Sequence, residues 1–288
     1  MCSVLRTLYL AALAARLLAG CTPQTPSTIS TPTEITLTPT PTITATLTPT
    51  ATQTSAPTVT STATPTPPPP SACSPLEGIS IAELSDPDLL KNPFLAPRPG
   101  FDDGHHGADF AYWSRGERAT MLGLPVYSVL GGTVAGVVQN HPPYGYAVII
   151  ETPLDALPAG WQSVLPVPVP TAVPADNLFC PAAPAASIPS SESRSLYLLY
   201  AHLDQPPLIA PEDTVTCGQQ LGEVGTTGRS VNYHLHLETR VGPAGARFET
   251  LAHYDNAATN DEMGAYCAWR VSGLYQMLDP MTLLSLQP

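Results

Sequence analysis

Residues 73–288 are predicted to form an all-β domain, on three observations. Apolar residues fall in short runs suited to strands, at Leu124–Val129, Thr133–Val138, Tyr146–Glu151 and Leu196–Leu203. Glycine-centred turns separate the runs, among them Gly131-Gly132 and Gly225-Thr226-Thr227-Gly228. Nothing between these segments reads as a long helix, and many short strands joined by turns are the pattern of an all-β architecture.

The N-terminal quarter is of another kind. Residues 1–21, MCSVLRTLYLAALAARLLAGC, form a short apolar stretch after a weakly basic start, too short to span a bilayer and suited to a signal peptide. It ends in Leu18-Ala19-Gly20-Cys21, which resembles the lipobox of bacterial lipoproteins. That resemblance implies cleavage before Cys21, a lipid on its thiol, and an extracytoplasmic, membrane-anchored protein. From residue 22 to 72 the chain is nearly all Thr, Pro, Ser and Ala. Such a segment has too little apolar bulk to offset its ordering entropy and is expected to be a disordered linker. Fully extended it would reach roughly 150 Å at ~3.1 Å per residue, a stalk between membrane and domain.

Charge and cysteine usage narrow the partners. With 11 basic and 23 acidic residues the net charge is −12, and nucleic-acid binding is not expected without clustered Lys and Arg. If Cys2 is removed with the leader and Cys21 is lipidated, Cys73, Cys180, Cys217 and Cys267 remain. An even number outside the cytoplasm suggests two disulfides, with three possible pairings. No two of the four have the Cys-x-x-Cys spacing of a zinc cluster.

Order is expected to begin near Cys73. A short helix is predicted around Ile81–Leu90, closed by Asn92-Pro93. Beyond the first three strand runs, residues 153–194 are rich in Pro, Ala and Ser and contain Cys180. They read as an insertion between two strands, stapled by its cysteine and serving either as a lid or as a tolerated addition. Strand signals resume at Leu196–Leu203. Pro211-Glu212-Asp213 and Cys217-Gly218-Gln219 look like turns around one short strand. The tail beyond Arg240 is less regular, with an apolar piece from Leu274 to Leu286 broken at Asp279-Pro280.

Tyr233-His234-Leu235-His236-Leu237-Glu238 alternates polar and apolar residues. On a strand this turns Leu235 and Leu237 to the core and sets two imidazoles side by side on the other face. Aligned imidazoles suit a metal, although surface or core histidines give the same pattern. The same alternation puts Glu238 on their face, either holding an imidazole or solvated at a strand end. His105-His106-Gly107-Ala108-Asp109 supplies a His-x-x-x-Asp spacing, and Tyr200-Ala201-His202-Leu203 a further histidine. His141, in a Pro-rich turn, and His253, in the tail, read as surface residues.

These three separated motifs, in this order, resemble the lysostaphin-type (LytM-type) zinc metallopeptidases, which cut peptides of bacterial cell walls. The resemblance runs from about Asn92 to Gly242, plus Asp279-Pro280, and leaves 153–194 unmatched. Leu124-Pro125-Val126, Gly132-Thr133-Val134 and Gly218-Gln219 support it. It implies an antiparallel β-sheet or sandwich core of that family's kind (the duplicated hybrid motif). It further implies zinc held by His105, Asp109 and His236, with His202 and His234 as catalytic histidines. His106 competes for the first ligand position, at a His-x-x-Asp spacing that departs from the family. The implied function is hydrolysis of peptidoglycan cross-links or stem peptides, by a monomer. The alternative is a non-catalytic LytM-like module that binds the wall or activates an amidase, a class whose members usually lack one or more ligands.

The anchor has a direct test. Cells expressing the chain and fed a radioactive fatty acid are expected to label it, and Cys21→Ala is expected to remove the label. An unlabelled wild type, or a fully labelled variant, excludes the lipoprotein.

Overall fold

Among the described residues, the strands and α-helices follow in the order β1 (Leu90–Asn92), β2 (Ala108–Phe110), β3 (Pro125–Tyr127), β4 (Gly132–His141), β5 (Gly145–Pro153), α1 (Ala159–Gln162), β6 (Arg194–Leu203), β7 (Thr214–Val215), β8 (Gln220–Glu223), β9 (Leu235–Pro243), α2 (Asn260–Arg270), β10 (Gln276–Leu278) and α3 (Pro280–Leu284). The computed structural model describes residues 72–174 and 177–286. The leader at 1–21 and nearly all of the linker at 22–72 therefore lie outside the described residues. No helix among the described residues is long and apolar enough to cross a membrane.

The all-β expectation is met. An eight-stranded antiparallel sheet runs β1-β2-β9-β6-β5-β4-β7, and β10 joins β9 beyond β2; β3 and β8 form a separate two-stranded sheet. Period-two alternation sorts the long strands between two cores. On β6, Leu196, Leu198 and Tyr200 enter one cluster with Val126, Leu221 and Leu84, while Tyr197, Leu199 and Ala201 enter another with Phe248, Tyr266 and Trp269. Fully burying each such leucine stabilises by about 1.5–3 kcal/mol. Both faces of the central strands are thus covered, which is why Ser195 through Leu203 are all buried.

Two elements depart from expectation. The helix predicted over Ile81–Leu90 is a single 3-10 turn, Ile81–Ser85. Asp86 precedes Pro87 and is held extended (φ −63°, ψ 126°), because the proline ring disfavours helical backbone before it. The chain then extends into β1. Conversely, the tail expected to be irregular contains α2. Its start was written in the sequence as Thr259-x-x-Glu262: the Thr259 hydroxyl accepts from the Glu262 N–H at 3.3 Å, and the Glu262 carboxylate accepts from the Thr259 N–H at 2.7 Å. Its buried residues run consecutively from Gly264 to Trp269, which hides the helical period.

Residues 153–194 do lie between β5 and β6, and they are woven into both cores. Leu157, Trp161 and Leu165 pack in the first and Leu178 in the second. The stapling cysteine is real: Cys180 joins Cys267 of α2, and Cys73 joins Cys217, which selects one of the three pairings.

The Cys73–Cys217 bridge closes a sequence separation of 144 residues, so its loss chiefly loosens the unfolded chain. The double variant Cys73→Ser, Cys217→Ser is expected to lower stability by about 2–5 kcal/mol, read from urea unfolding. Peptide mapping without reductant checks both pairings.

Candidate metal centre

β9 is flanked by β2 on one side and β6 on the other, with Asp109 and Ala201 both in register with His236. That pairing brings together side chains 127 and 131 residues apart. His105 Nε2 lies 3.1 Å from Asp109 Oδ1 and 3.2 Å from His236 Nδ1, and His236 Nδ1 lies 2.7 Å from Asp109 Oδ1. Gly107 allows the approach, since a Cβ there would stand 2.9 Å from His236 Cε1 and closer still to the Leu237 carbonyl.

Each of the three side chains is held by its outer atom. His105 Nδ1 meets the Pro93 carbonyl at 3.0 Å, Asp109 Oδ2 accepts from Asn92 Nδ2 at 3.0 Å, and His236 Nε2 faces Glu238 Oε1 at 3.1 Å. A proton on each outer ring nitrogen leaves the inner one with a lone pair aimed at the common point. Donor atoms bonded at about 2.0–2.1 Å to one tetrahedral ion stand about 3.3 Å apart, close to the spacing here. Two imidazoles and one carboxylate are also a donor set zinc takes, with one position left open. The residues fit the ion.

His202 and His234 stand beside this triad. Their ring centroids are 4.7 Å apart, and His234 Nε2 is 3.6 Å from Asp109 Oδ1. His202, the penultimate residue of β6, has a left-handed backbone (φ 61°), and its Nδ1 bonds the Thr227 carbonyl at 2.8 Å. Thr227 in turn donates its hydroxyl to the Leu203 carbonyl at 2.7 Å. The Gly225–Gly228 turn therefore anchors His202 as well as leading towards β9. His234 lies one residue before β9 begins, its Nδ1 2.9 Å from the Asn232 carbonyl. A cavity of about 490 Å³ opens over the five side chains, lined also by Asn92, Tyr144, Arg229 and Tyr254.

Burial and neighbours set the charges. Burial, with the nearby His236 and His234, brings His202 down to about 3, and burial also lowers His234. Both are neutral at neutral pH. Burial opposes charge on His236, but the Asp109 and Glu238 carboxylates outweigh it and hold the metal-free imidazole up to about 9. Burial would raise Asp109; hydrogen bonds from His105 and His236 instead keep it well below the carboxylate range.

The structure also separates His105 from its rival. His106 is fully buried and turned away, its Nδ1 accepting from Arg240 Nη2 at 2.8 Å, with Nε2 3.1 Å from the Asp103 carbonyl. His253 is not the surface residue expected. It is 7 % exposed, with Nε2 3.0 Å from the Phe179 carbonyl and its ring against Tyr266, because insertion and α2 close over it. His141 is half-buried, 3.9 Å from Asp255 and Glu262. Among the described residues, none of the insertion lines the cavity. Sequence reasoning took Asn92-Pro93 only as a helix stop, whereas these two residues hold Asp109 and His105. It missed Tyr144, Asp102, Arg240, Trp269 and Arg270 as well; only Arg240, two residues beyond Glu238 on the same strand face, carried a readable signal.

The fold and site define an antiparallel-sheet protein with a candidate mononuclear metal centre. Residues 187–248, which include His202, His234 and His236, match peptidase family M23. That match bears out the resemblance over the part of the chain that holds His202, His234 and His236. No curated protein matches the chain. Among solved structures, a zinc-containing peptidase from Vibrio cholerae is 24 % identical over 53 % of this chain and 36 % of its own, with a TM-score of 0.28. The match thus spans about a third of that protein. The catalytic domain of lysostaphin from Staphylococcus simulans is 17 % identical over 67 % and 90 %, with a TM-score of 0.33. The catalytic domain of a prophage-encoded M23 protein from Enterococcus faecalis is 18 % identical over 60 % and 95 %, with a TM-score of 0.31. At such values the chemistry rests on the side chains themselves.

Behind the centre, burial would raise Asp102, but the Arg270 charge and the Tyr254 and Tyr266 hydroxyls hold it below its ordinary value. A depressed carboxylate contributes stability above its unfolded pKa of about 3.9 and loses it as pH falls through the folded value. Asp102→Asn is expected to cost about 2–4 kcal/mol at pH 7. The deficit should shrink on acidification below about pH 4, as urea midpoints at several pH values would show.

Proposed function

We propose that this chain is a zinc-dependent endopeptidase acting on the peptide cross-links or stem peptides of bacterial peptidoglycan. His105, Asp109 and His236 would hold the metal, and His202 and His234 would be the catalytic histidines. The observation that carries this reading is the tethering of all three candidate ligands by their outer atoms, with two neutral imidazoles at the open side. Zinc bound there would polarise the scissile carbonyl and supply a nucleophile at neutral pH.

The chain's own residues supply the proton handling. The Thr227 carbonyl accepts a hydrogen bond from the Nδ1–H of His202, which leaves Nε2 as an acceptor towards the cavity. The Asn232 carbonyl orients His234 in the same manner. Between them the two imidazoles accept the proton of the attacking water, and stabilise the oxyanion or protonate the leaving amine. Burial makes both imidazoles weaker bases than a free histidine, so each keeps an unprotonated lone pair at working pH.

Location follows the same reading. Two disulfides agree with an oxidising compartment outside the cytoplasm. Lipid on Cys21 and the 22–72 linker would hold the domain, as a monomer, off the membrane and within reach of the wall.

Purified protein is expected to bind about one zinc and to release new amines from cell walls, with both properties lost in His236→Ala. His202→Ala is expected to retain zinc and to lower turnover by about 10²–10⁴-fold. Intact hydrolysis in His236→Ala overturns the proposal. So does a metal-free, hydrolytically silent wild type that still pulls down with walls, which would identify a binding module.

A further inference from the structure

Glu238 is fully buried, yet it accepts hydrogen bonds on both oxygens. Oε1 receives His236 Nε2 at 3.1 Å, the Tyr144 hydroxyl at 2.8 Å and Arg270 Nη1 at 3.0 Å. Oε2 receives Trp269 Nε1 and Arg240 Nε, each at 2.9 Å. The helix α2 therefore supplies one donor to each oxygen. A carboxylate turns readily about its last torsion, and donors on both oxygens stop it.

α2 is itself braced. Arg270 Nε bonds Asp102 at 2.8 Å, and Asp102 also accepts from the Tyr266 hydroxyl at 2.7 Å and the Tyr254 hydroxyl at 2.5 Å. Cys267, between Tyr266 and Trp269, is bonded to Cys180. Two carboxylates and two guanidiniums are thus paired at the floor of the cavity and behind it. A buried ion set of this kind is seldom the most stable filling, since apolar residues of equal volume often do as well or better. Its position against one candidate ligand gives it another use.

We propose that α2 is a working part of the centre, with Trp269 and Arg270 as positioning residues that lock Glu238 against His236 and so fix the imidazole's direction. The inference rests on the reading of His236 as a metal ligand. An outer carboxylate that orients such a histidine typically governs metal affinity by 10–100-fold.

Trp269→Phe removes one of the Oε2 donors, leaving Arg240, and keeps an aromatic ring; Arg270→Met removes one of the Oε1 donors, leaving Tyr144. Zinc dissociation constants come from chelator competition, and the Nε2 proton of His236 is followed by NMR in histidine-labelled, zinc-free protein. Trp269→Phe is expected to weaken zinc about tenfold and to speed exchange of that proton, with an unchanged circular dichroism spectrum. Should Arg270→Met fail to fold, Trp269→Phe decides alone. Wild-type zinc affinity and an unaltered His236 proton in folded variants overturn the inference. If the wild type binds no zinc, the metal reading fails separately and the proton signal decides this one.

Discussion

The register of β9 between β2 and β6 is the constraint on which the rest of the structure depends. Asp109 and Ala201 face His236 across the two ladders, and His202 follows one residue later. A slip by one residue would turn the whole β9 row to the opposite face. His236, Glu238 and Arg240 would then enter the core built by Leu235, Leu237 and Val241, and that core would be lost to the α2 side. The hydrophobic cost of such a slip, two buried leucines and a valine at about 1.5–3 kcal/mol each, is what enforces the geometry of the polar row. Packing energy on one face thus specifies chemistry on the other.

The two faces of the sheet are accordingly unequal. One is a conventional apolar core closed by β3, β8, α3 and part of the insertion. The other mixes aromatic packing with a buried charge network in which Glu238 and Arg240 are wholly inaccessible. Burying charges costs several kcal/mol per ion before partners return it. Here the return comes through many short, mutually oriented hydrogen bonds, so the network adds rigidity more than net stability. The disulfide to Cys180 draws the insertion into this face, which explains how a Pro- and Ala-rich stretch stays packed with only short helical turns.

Backbone detail at the cavity follows the same logic. His202 adopts a left-handed conformation that is unfavourable for a side chain with a Cβ, and the Thr227 turn compensates by hydrogen bonding both the ring and the neighbouring carbonyl. Gly107 leaves room where β2 meets β9. Small residues and one tolerated distortion allow five polar side chains to share a space that a regular sheet would fill with aliphatic ones.

By itself the sequence determined the strand-rich class and the approximate limits of the longer strands, and through their family resemblance its motifs singled out the five side chains of the candidate site, because period-two alternation and short motifs are local properties. It also carried the capping box of α2, which consecutive burial obscured. Tertiary structure alone decided the cysteine pairing, the burial of His106 and His253, and the use of Asn92 and Pro93 as braces. It alone assembled Asp102, Tyr144, Trp269 and Arg270 behind Glu238. Those contacts join residues up to about 170 positions apart, set by sheet register and helix docking, and no local pattern records which distant partner a buried polar group will find.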